Sequence, residues 1–538
     1  MRKTETLFIG TGLILGLVVA GTLVWRACAP SASGDLHQYP TTKYGAFLAA
    51  QHAVAVNDFK SADEFMGHLD GVDYDVVNNS RMISQFLNGR VPENAKLLQN
   101  EKNLASGIIY DAYLLENDNW DELYRRHKKD ASALSAPLRI WSSVATGHAS
   151  DAIKYIDTLP SNASWKSFMR GQIYAQAGDI DAAAAEFANV GTDFLNISDY
   201  LYLMSFYLGN NMPAAAAQLR ADFVALSGGM YLSDYDAFAP WETYVGSKNA
   251  LAFSLIQTVS HTQVMMYSDL AVLLIQFAHI IGPMYAGQND AINYYLGQYY
   301  YTTVGDYQAC FDRISPDSPF YLFGVLRVAD KTNDFSALAS AVRDNPLFVP
   351  GAMRLIAHYV SNGDASAAHG IVSRALKSKS ITDAGRAHFL KSRAAINFAF
   401  GNLKDAQADI RLATDAALPD GEILALQAKI WAAQNREIET AYEYAMQLVR
   451  NNPTDVVAWD TLGRVIAARE GPAAALDLTA RVGEVSGRCS SLFESIGDQY
   501  AALGDMRHAR DAYLRAIDLA DDGMVVIPHL RKKIKALK

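Results

Sequence analysis

The C-terminal part of the sequence repeats with a period of 34 residues. Three successive blocks of this length begin at Glu422, Val456 and Ser490. Such a period is typical of stacked helix-turn-helix units, which cannot bury their apolar faces alone. The repeat therefore predicts an all-α chain in which neighbouring helix pairs share one core.

Small and large side chains recur at fixed places within these blocks. Gly497 and Ala509 are small where two antiparallel helices must approach closely. Phe493, Tyr500 and Tyr513 are large enough to fill the space between neighbouring pairs. The corresponding residues of the middle block are Trp459, Leu462, Gly463 and Ala475.

This pattern resembles the tetratricopeptide repeat (TPR) family, and the whole chain resembles membrane-anchored bacterial TPR proteins. The resemblance covers residues 422–523 strongly and the chain from residue 44 weakly. It implies a right-handed superhelical array of antiparallel helix pairs, a TPR-like solenoid, after one N-terminal transmembrane helix. It also implies a non-catalytic scaffold that binds proteins and needs no cofactor or metal.

A turn signature extends the helix pairs towards the N-terminus. At Gly504-Asp505, glycine tolerates the left-handed residue that closes one helix, and aspartate can cap the next. The sequence therefore predicts further pairs, with helices of variable length, wherever this signature occurs. Its other occurrences are Asn57-Asp58, Gly178-Asp179, Asn210-Asn211, Gly305-Asp306, Asn333-Asp334, Gly363-Asp364 and Gly401-Asn402.

The largest break in the pattern runs from Gly228-Gly229 to Trp241 and contains Pro240. We interpret it as a loop between two stacks of repeats. The predicted organisation of the folded part is irregular TPR-like repeats at 44–227, a connecting loop at 228–241, TPR-like repeats at 242–421, three regular repeats at 422–523 and a basic capping helix at 524–538.

The N-terminal segment has the properties of a membrane anchor. Leu7 to Trp25 is an uncharged apolar run, and a helix of that length spans about 28 Å, close to a bilayer core. Arg2 and Lys3 outweigh Arg26, which predicts a cytoplasmic 1–6, a transmembrane 7–25 and a linker at 26–43. The rest would then face the periplasm from the inner membrane. A cleaved signal peptide and a lipoprotein remain alternatives.

Composition and motifs exclude several classes of function. A net charge of -10 gives no basic footprint for nucleic acid. Three scattered cysteines are too few for a disulfide framework or a zinc ribbon. The sequence lacks the zinc-protease His-Glu-x-x-His motif, a phosphate-binding loop and a Gly-x-Ser-x-Gly nucleophile elbow. We therefore expect no catalytic, metal or cofactor site and infer no small-molecule substrate.

The TPR resemblance places four polar residues on the binding groove: Asp460, Arg464, Glu494 and Asp498. This groove is mixed to acidic, and it lacks the Lys and Asn with which family members clamp a terminal carboxylate. A peptide segment or helix with positive charge would suit Glu494 and Asp498. The alternative is that these residues are merely solvated.

The last ten residues are basic and contain Arg531, Lys532, Lys533, Lys535 and Lys538. They predict a solvated helix that caps the array, and the alternative is a contact for phosphate or anionic lipid headgroups.

Two functions are compatible with these features. The first is a membrane-anchored TPR scaffold that gathers proteins of the bacterial cell envelope. The second is an enzyme, or its accessory subunit, that acts on cell-wall glycan with the helical array as substrate guide. Glu494-Ser495 is similar to the Glu-Ser pair of soluble lytic transglycosylases, but it lies inside the best repeat. The absence of a separate catalytic domain favours the scaffold.

Overall fold

The computed structural model describes residues 42–72, 74–100, 103–130, 135–226, 228–261, 269–282, 286–303, 305–417, 419–486, 488–520 and 524–537. Within these ranges the regular secondary structure is entirely helical, so the predicted all-α fold is confirmed there. The chain forms two compact units. Unit 1 comprises Met1–Leu219 and Asp236–Lys331, and unit 2 comprises Arg220–Tyr235 and Thr332–Lys538.

Helices α1 to α16 lie mainly in unit 1. They are α1 (Lys43–Ala55), α2 (Phe59–Gly67), α3 (Asp75–Leu87), α4 (Leu104–Glu116), α5 (Trp120–His127), α6 (Ala136–Ala145), α7 (Ala149–Thr158), α8 (Ala163–Gln176), α9 (Ile180–Phe187), α10 (Ile197–Gly209), α11 (Pro213–Ala225), α12 (Ser247–His261), α13 (Asp269–Ile281), α14 (Ala286–Thr302), α15 (Tyr307–Asp312) and α16 (Tyr321–Thr332).

The remaining helices belong to unit 2. They are α17 (Ser336–Asp344), α18 (Val349–Ser361), α19 (Ala365–Leu376), α20 (Asp383–Ala399), α21 (Leu403–Ala416), α22 (Gly421–Gln434), α23 (Ile438–Asn451), α24 (Val456–Glu470), α25 (Pro472–Ser486), α26 (Ser490–Ala502), α27 (Met506–Asp518) and α28 (Ile527–Ala536). Short 3₁₀ helices occur at Ala95–Asn100, Thr192–Phe194, Met230–Leu232 and Trp241–Tyr244.

The turn signature marks helix junctions, as predicted. Gly504 has a φ of 82°, and the Asp505 side chain accepts a hydrogen bond from the His508 amide at the start of α27. Asn57 has a φ of 58°, and Asp58 caps α2 in the same way. At these two junctions the positive φ closes one helix and the carboxylate satisfies an orphan amide of the next. Because a few residues reverse the chain, consecutive helices pack as antiparallel pairs.

Unit 1 is held together by contacts between helices far apart in sequence. The Asn57 side chain, before α2, donates to Thr303 Oγ1, after α14, at 3.1 Å. The rings of Phe59 and Tyr300 lie 6.3 Å apart. Helices α3 and α4 both contact α13. The opening helices of this unit therefore pack against its later ones.

The apolar stretch at Leu270 to Ile281 forms most of the core helix α13. Ile275, Phe277 and Ala278 are completely buried. The neighbouring tyrosines also serve packing: Tyr295 and Tyr299 of α14 belong to the same core cluster. These two tyrosines are therefore part of the core of unit 1.

Each 34-residue block of unit 2 contains one helix pair, namely α22/α23, α24/α25 and α26/α27. The close approach predicted at Gly497 is present, because a Cβ atom there would lie 2.5 Å from the Tyr513 ring. Ala509 on the partner helix is completely buried. The basic tail forms α28, which packs on α27.

The predicted cytoplasmic segment 1–6, the anchor 7–25 and most of the linker 26–43 lie outside the described residues. Among the helices that the structure describes, none combines the length and the apolar character needed to cross a membrane. The predicted connecting loop 228–241 is divided between the units, since Arg220–Tyr235 belongs to unit 2 and Asp236 begins the next part of unit 1.

Candidate protein-binding face of the C-terminal array

The four residues predicted for the groove lie on the first helices of two consecutive pairs in unit 2. Asp460 and Arg464 lie on α24, and Glu494 and Asp498 lie on α26. First helices of neighbouring pairs contact one another along this array. The structure divides the four residues into two charge clusters with different surroundings.

The first cluster surrounds the completely buried Asp460 carboxylate. The Lys429 ammonium lies 2.6 Å from its Oδ2 atom, and the Arg464 guanidinium lies 3.0 Å from its Oδ1 atom. The Ser491 hydroxyl donates a further hydrogen bond of 2.7 Å to Oδ2. Every donor comes from a first helix, so this carboxylate connects three successive pairs and is inaccessible to a partner.

The electrostatics of this cluster match its geometry. Burial alone would raise the pKa of Asp460, but the charges of Arg464 and Lys429 outweigh burial and hold this pKa well below its ordinary value. Burial would lower the pKa of Arg464, but Asp460, Glu494 and Asp498 raise it. Arg464 also donates to the Ser491 carbonyl oxygen at 2.7 Å. Both residues therefore remain charged and have structural partners.

The second cluster is the acidic face, which we define as Glu494, Asp498 and Tyr513. Its carboxylates are more accessible than Asp460, with 21% of the Glu494 side chain and 43% of the Asp498 side chain exposed. The Tyr513 hydroxyl donates to Asp498 Oδ1 at 2.7 Å. Burial and the adjacent Asp498 carboxylate raise the pKa of this phenol, so Tyr513 remains a neutral donor.

The acidic face holds a cation from the last helix. The Lys533 ammonium lies 2.9 Å from Glu494 Oε1 and 2.7 Å from Asp498 Oδ1. It also lies 5.5 Å from the centre of the Tyr513 ring, within the range of a cation–π contact. Burial would lower the pKa of Lys533, but both carboxylates outweigh this effect and raise it. The face is thus a three-residue receptor for an ammonium group.

Helix α28 packs on α27 and places Lys533 on this face. Its start reaches back to two earlier turns of unit 2, because Pro528 lies against Gly363 and the His529 ring lies 5.8 Å from the Phe400 ring. Leu530 is completely buried, whereas Arg531, Lys532 and Lys535 are exposed. One side of α28 therefore packs inward with Lys533, and the other presents cations to solvent.

Unit 1 has buried polar clusters of its own, in which carboxylates accept hydrogen bonds from neighbouring side chains. Asp199 is completely buried and accepts hydrogen bonds from His261 at 2.6 Å and from Gln257 at 2.9 Å. Asp111 similarly lies 2.9 Å from both Arg126 and His127. Among the described residues, no group of three or more His, Cys, Asp or Glu side chains is arranged to hold a metal ion.

Sequence reasoning did not identify the residues that complete these clusters. Lys429 and Ser491 each lie 31 positions from Asp460, close to the repeat period. Lys533 lies 35 positions from Asp498, and the sequence placed it only in a basic cap. A search for opposite charges separated by about one repeat would have found the Lys429–Asp460 and Lys533–Asp498 pairs.

Comparisons with known proteins return similarities only among solved structures. No protein-family model matches the sequence, and the search of curated proteins finds no match. Three structures illustrate the similarities: YrrB, described as a TPR protein with an unusual peptide-binding site, yeast Tom70, and the APC/C hetero-tetramer Cut9-Hcn1.

All three similarities are distant. YrrB is 19% identical, with 39% of this chain and 97% of YrrB covered and a TM-score of 0.21. Tom70 is 10% identical, with coverages of 83% and 96% and a TM-score of 0.28. Cut9-Hcn1 is 12% identical, with coverages of 92% and 96% and a TM-score of 0.29.

The TPR-like description consequently depends on the chain's own features. These are the 34-residue blocks, the antiparallel pairs that they form and the close approach of Gly497 to Tyr513. Together they make unit 2 an array of helix pairs that resembles tetratricopeptide repeats.

Proposed function

We propose that this chain is a protein-binding scaffold whose recognition surface is the acidic face of unit 2. The observation that carries the proposal is the seat that Glu494, Asp498 and Tyr513 form around the Lys533 ammonium. Two carboxylates and an aromatic ring suit a Lys or Arg side chain on a partner peptide or helix. A helical array supports this role because it presents an extended surface on rigid elements.

The two charge clusters differ in what they offer a partner. The oxygens of Asp460 are taken by Lys429, Arg464 and Ser491, so this cluster fixes the register of neighbouring pairs. The acidic face instead lies on the last of the three regular helix pairs, and its carboxylates are partly exposed. We therefore retain Glu494 and Asp498 as contact residues and assign Asp460 and Arg464 a positioning role.

We also propose that the scaffold is anchored in the inner membrane by residues 7–25 and gathers proteins of the bacterial cell envelope. The support is the uncharged run from Leu7 to Trp25 and the Arg2-Lys3 pair before it. Fractionation tests this proposal. The full-length chain should remain with membranes after an alkaline wash, and a chain without residues 1–25 should be released. Release of the full-length chain would contradict anchoring.

The recognition surface is tested by mild crosslinking in native membranes followed by affinity purification and mass spectrometry. The wild type is compared with a Glu494→Lys, Asp498→Lys double variant. A matched control reverses two exposed acidic residues on α25, Asp477→Lys and Glu484→Lys. We expect a few partners that the first variant loses and the control keeps. Retention of the same partners by the Glu494 and Asp498 variant would contradict the proposal.

A further inference from the structure

We propose that α28 is a displaceable internal ligand of the acidic face, and that the external partner is a basic amphipathic helix with a Lys or Arg at the place of Lys533. This inference rests on the proposed function, because it names the partner of the same surface. It adds a regulatory consequence: the chain occupies its own binding site until a competing helix replaces α28.

The acidic face binds the Lys533 ammonium through both of its carboxylates. Lys533 makes contacts of 2.9, 2.7 and 2.9 Å with three carboxylate oxygens of Glu494 and Asp498. About a third of its side chain, 35%, is exposed. This contact is therefore accessible to a competing cation, unlike the buried Lys429–Asp460 pair, in which Asp460 is completely covered.

Apolar side chains flank Lys533 along α28. Leu530 is completely buried, and Ile534 and Leu537 pack against the same core cluster, which includes Tyr513 and Ala516 of α27. Leu537 is the C-cap residue beyond the end of α28, and within the helix Leu530, Lys533 and Ile534 occupy positions i, i+3 and i+4 of one face. That is the pattern by which an amphipathic helix binds a groove. The partner should therefore carry two or three apolar residues around its cation.

The local structure of α28 makes exchange feasible. It is a ten-residue helix, a length at which isolated helices are marginal in water. Its N-cap residue, Val526, supplies no side-chain hydrogen bond, and its first turn contains no acidic residue. Helix α28 also lies at one end of the helical array, and terminal elements open more readily than central ones. A helix with better capping could thus compete for the same face.

The test is a binding titration with a fluorescein-labelled synthetic peptide of residues 524–538. The full-length chain is used in detergent as wild type and as Lys533→Glu, which places a carboxylate against Glu494 and Asp498 and releases α28. We expect Lys533→Glu to bind the peptide at least tenfold more tightly than the wild type. Combining it with Glu494→Gln and Asp498→Asn should abolish the gain. Equal affinity of Lys533→Glu and wild type would overturn the proposal.

Two further arms keep the test decisive. If Lys533→Glu loses its helical circular dichroism spectrum, Lys533→Gln replaces it. Lys533→Gln removes the cation without adding a repulsive carboxylate, so we expect it to bind the peptide more tightly than the wild type, with a gain below tenfold. The second arm measures hydrogen exchange in the wild type at saturating peptide. Faster exchange of the α28 amides supports displacement, and unchanged exchange overturns it. Neither result depends on the crosslinking experiment. The proposed scaffold function therefore stands or falls separately from the role of α28 as an internal ligand.

Discussion

The Lys533 ammonium lies 2.7 Å from Asp498 Oδ1, and this contact joins the last helix to the first helix of the preceding pair. The Lys429–Asp460 contact of 2.6 Å similarly joins α22 and α24, the first helices of the two earlier pairs. The two contacts share a chemistry and differ in burial. Since a buried ion pair mainly specifies register and an accessible one can exchange partners, this difference separates a structural contact from a recognition site.

The Asp460 cluster should be critical for stability. Asp460→Asn keeps the size of the side chain but leaves Lys429 and Arg464 without a buried counter-charge. We expect unit 2 to lose about 3 to 5 kcal/mol of unfolding free energy, the usual cost of breaking a buried pair from one side. Chemical denaturation measures this loss.

The control for this experiment is Asp477→Asn on α25. Asp477 pairs with Arg481 at 2.9 Å, but both side chains are about three-quarters exposed, at 74% and 76%. Exposed pairs contribute little because solvent screens them. The control should unfold like the wild type. Equal behaviour of Asp460→Asn and Asp477→Asn would contradict the structural role of the cluster.

The effect of Asp460 on stability should depend on pH in the acidic range. Arg464 and Lys429 hold the pKa of Asp460 well below its ordinary value despite burial. A carboxyl whose pKa is lower in the folded state stabilises the fold above its unfolded pKa, about 3.9, and loses this contribution as pH falls towards the folded value. The difference between wild type and Asp460→Asn should be complete at neutral pH and shrink below about pH 4. A constant difference would contradict the argument.

The close approach at Gly497 predicts opposite effects for two Gly→Ala substitutions. At Gly497, the new Cβ would lie 2.5 Å from two Tyr513 ring atoms, so Gly497→Ala should destabilise by about 1 to 3 kcal/mol through overpacking. Gly370 on α19 has open space around the same position, so Gly370→Ala should stabilise by about 0.5 to 1 kcal/mol through helix propensity. Thermal unfolding of both variants tests the prediction, and a shift of equal sign in both would contradict it.

The local elements of the fold were predictable because their causes are local. The 34-residue period predicted the three regular helix pairs of unit 2. The turns were predicted from a residue that tolerates positive φ followed by a capping Asp or Asn. Asp118-Asn119 forms the same kind of turn, with a φ of 51° at Asp118 and a cap from Asn119, although it contains no glycine and does not begin with Asn. The signature is therefore broader than the Gly-Asp form from which it was derived.

The long-range contacts were not predictable from one sequence. The Asn57–Thr303 hydrogen bond joins residues 246 positions apart in a region where the repeat spacing is irregular. The groove residues show the same limit at closer range. The resemblance treats Asp460 and Asp498 alike, but only the three-dimensional arrangement distinguishes the carboxylate between two cations from the one at the end of the array.

The central claim is that the charges of the acidic face select the cation of the helix bound there, and a charge exchange tests it most directly. Hydrogen exchange of residues 524–537 is measured in the wild type, in Glu494→Lys with Asp498→Lys, and in that double variant with Lys533→Glu added. A control adds Lys535→Glu instead, because Lys535 is exposed on the outer side of α28.

We predict at least tenfold faster exchange of the α28 amides in the double variant, recovery with Lys533→Glu and no recovery with Lys535→Glu. If Lys533→Glu and Lys535→Glu have the same effect, the acidic face does not recognise a specific cation, and the account is contradicted.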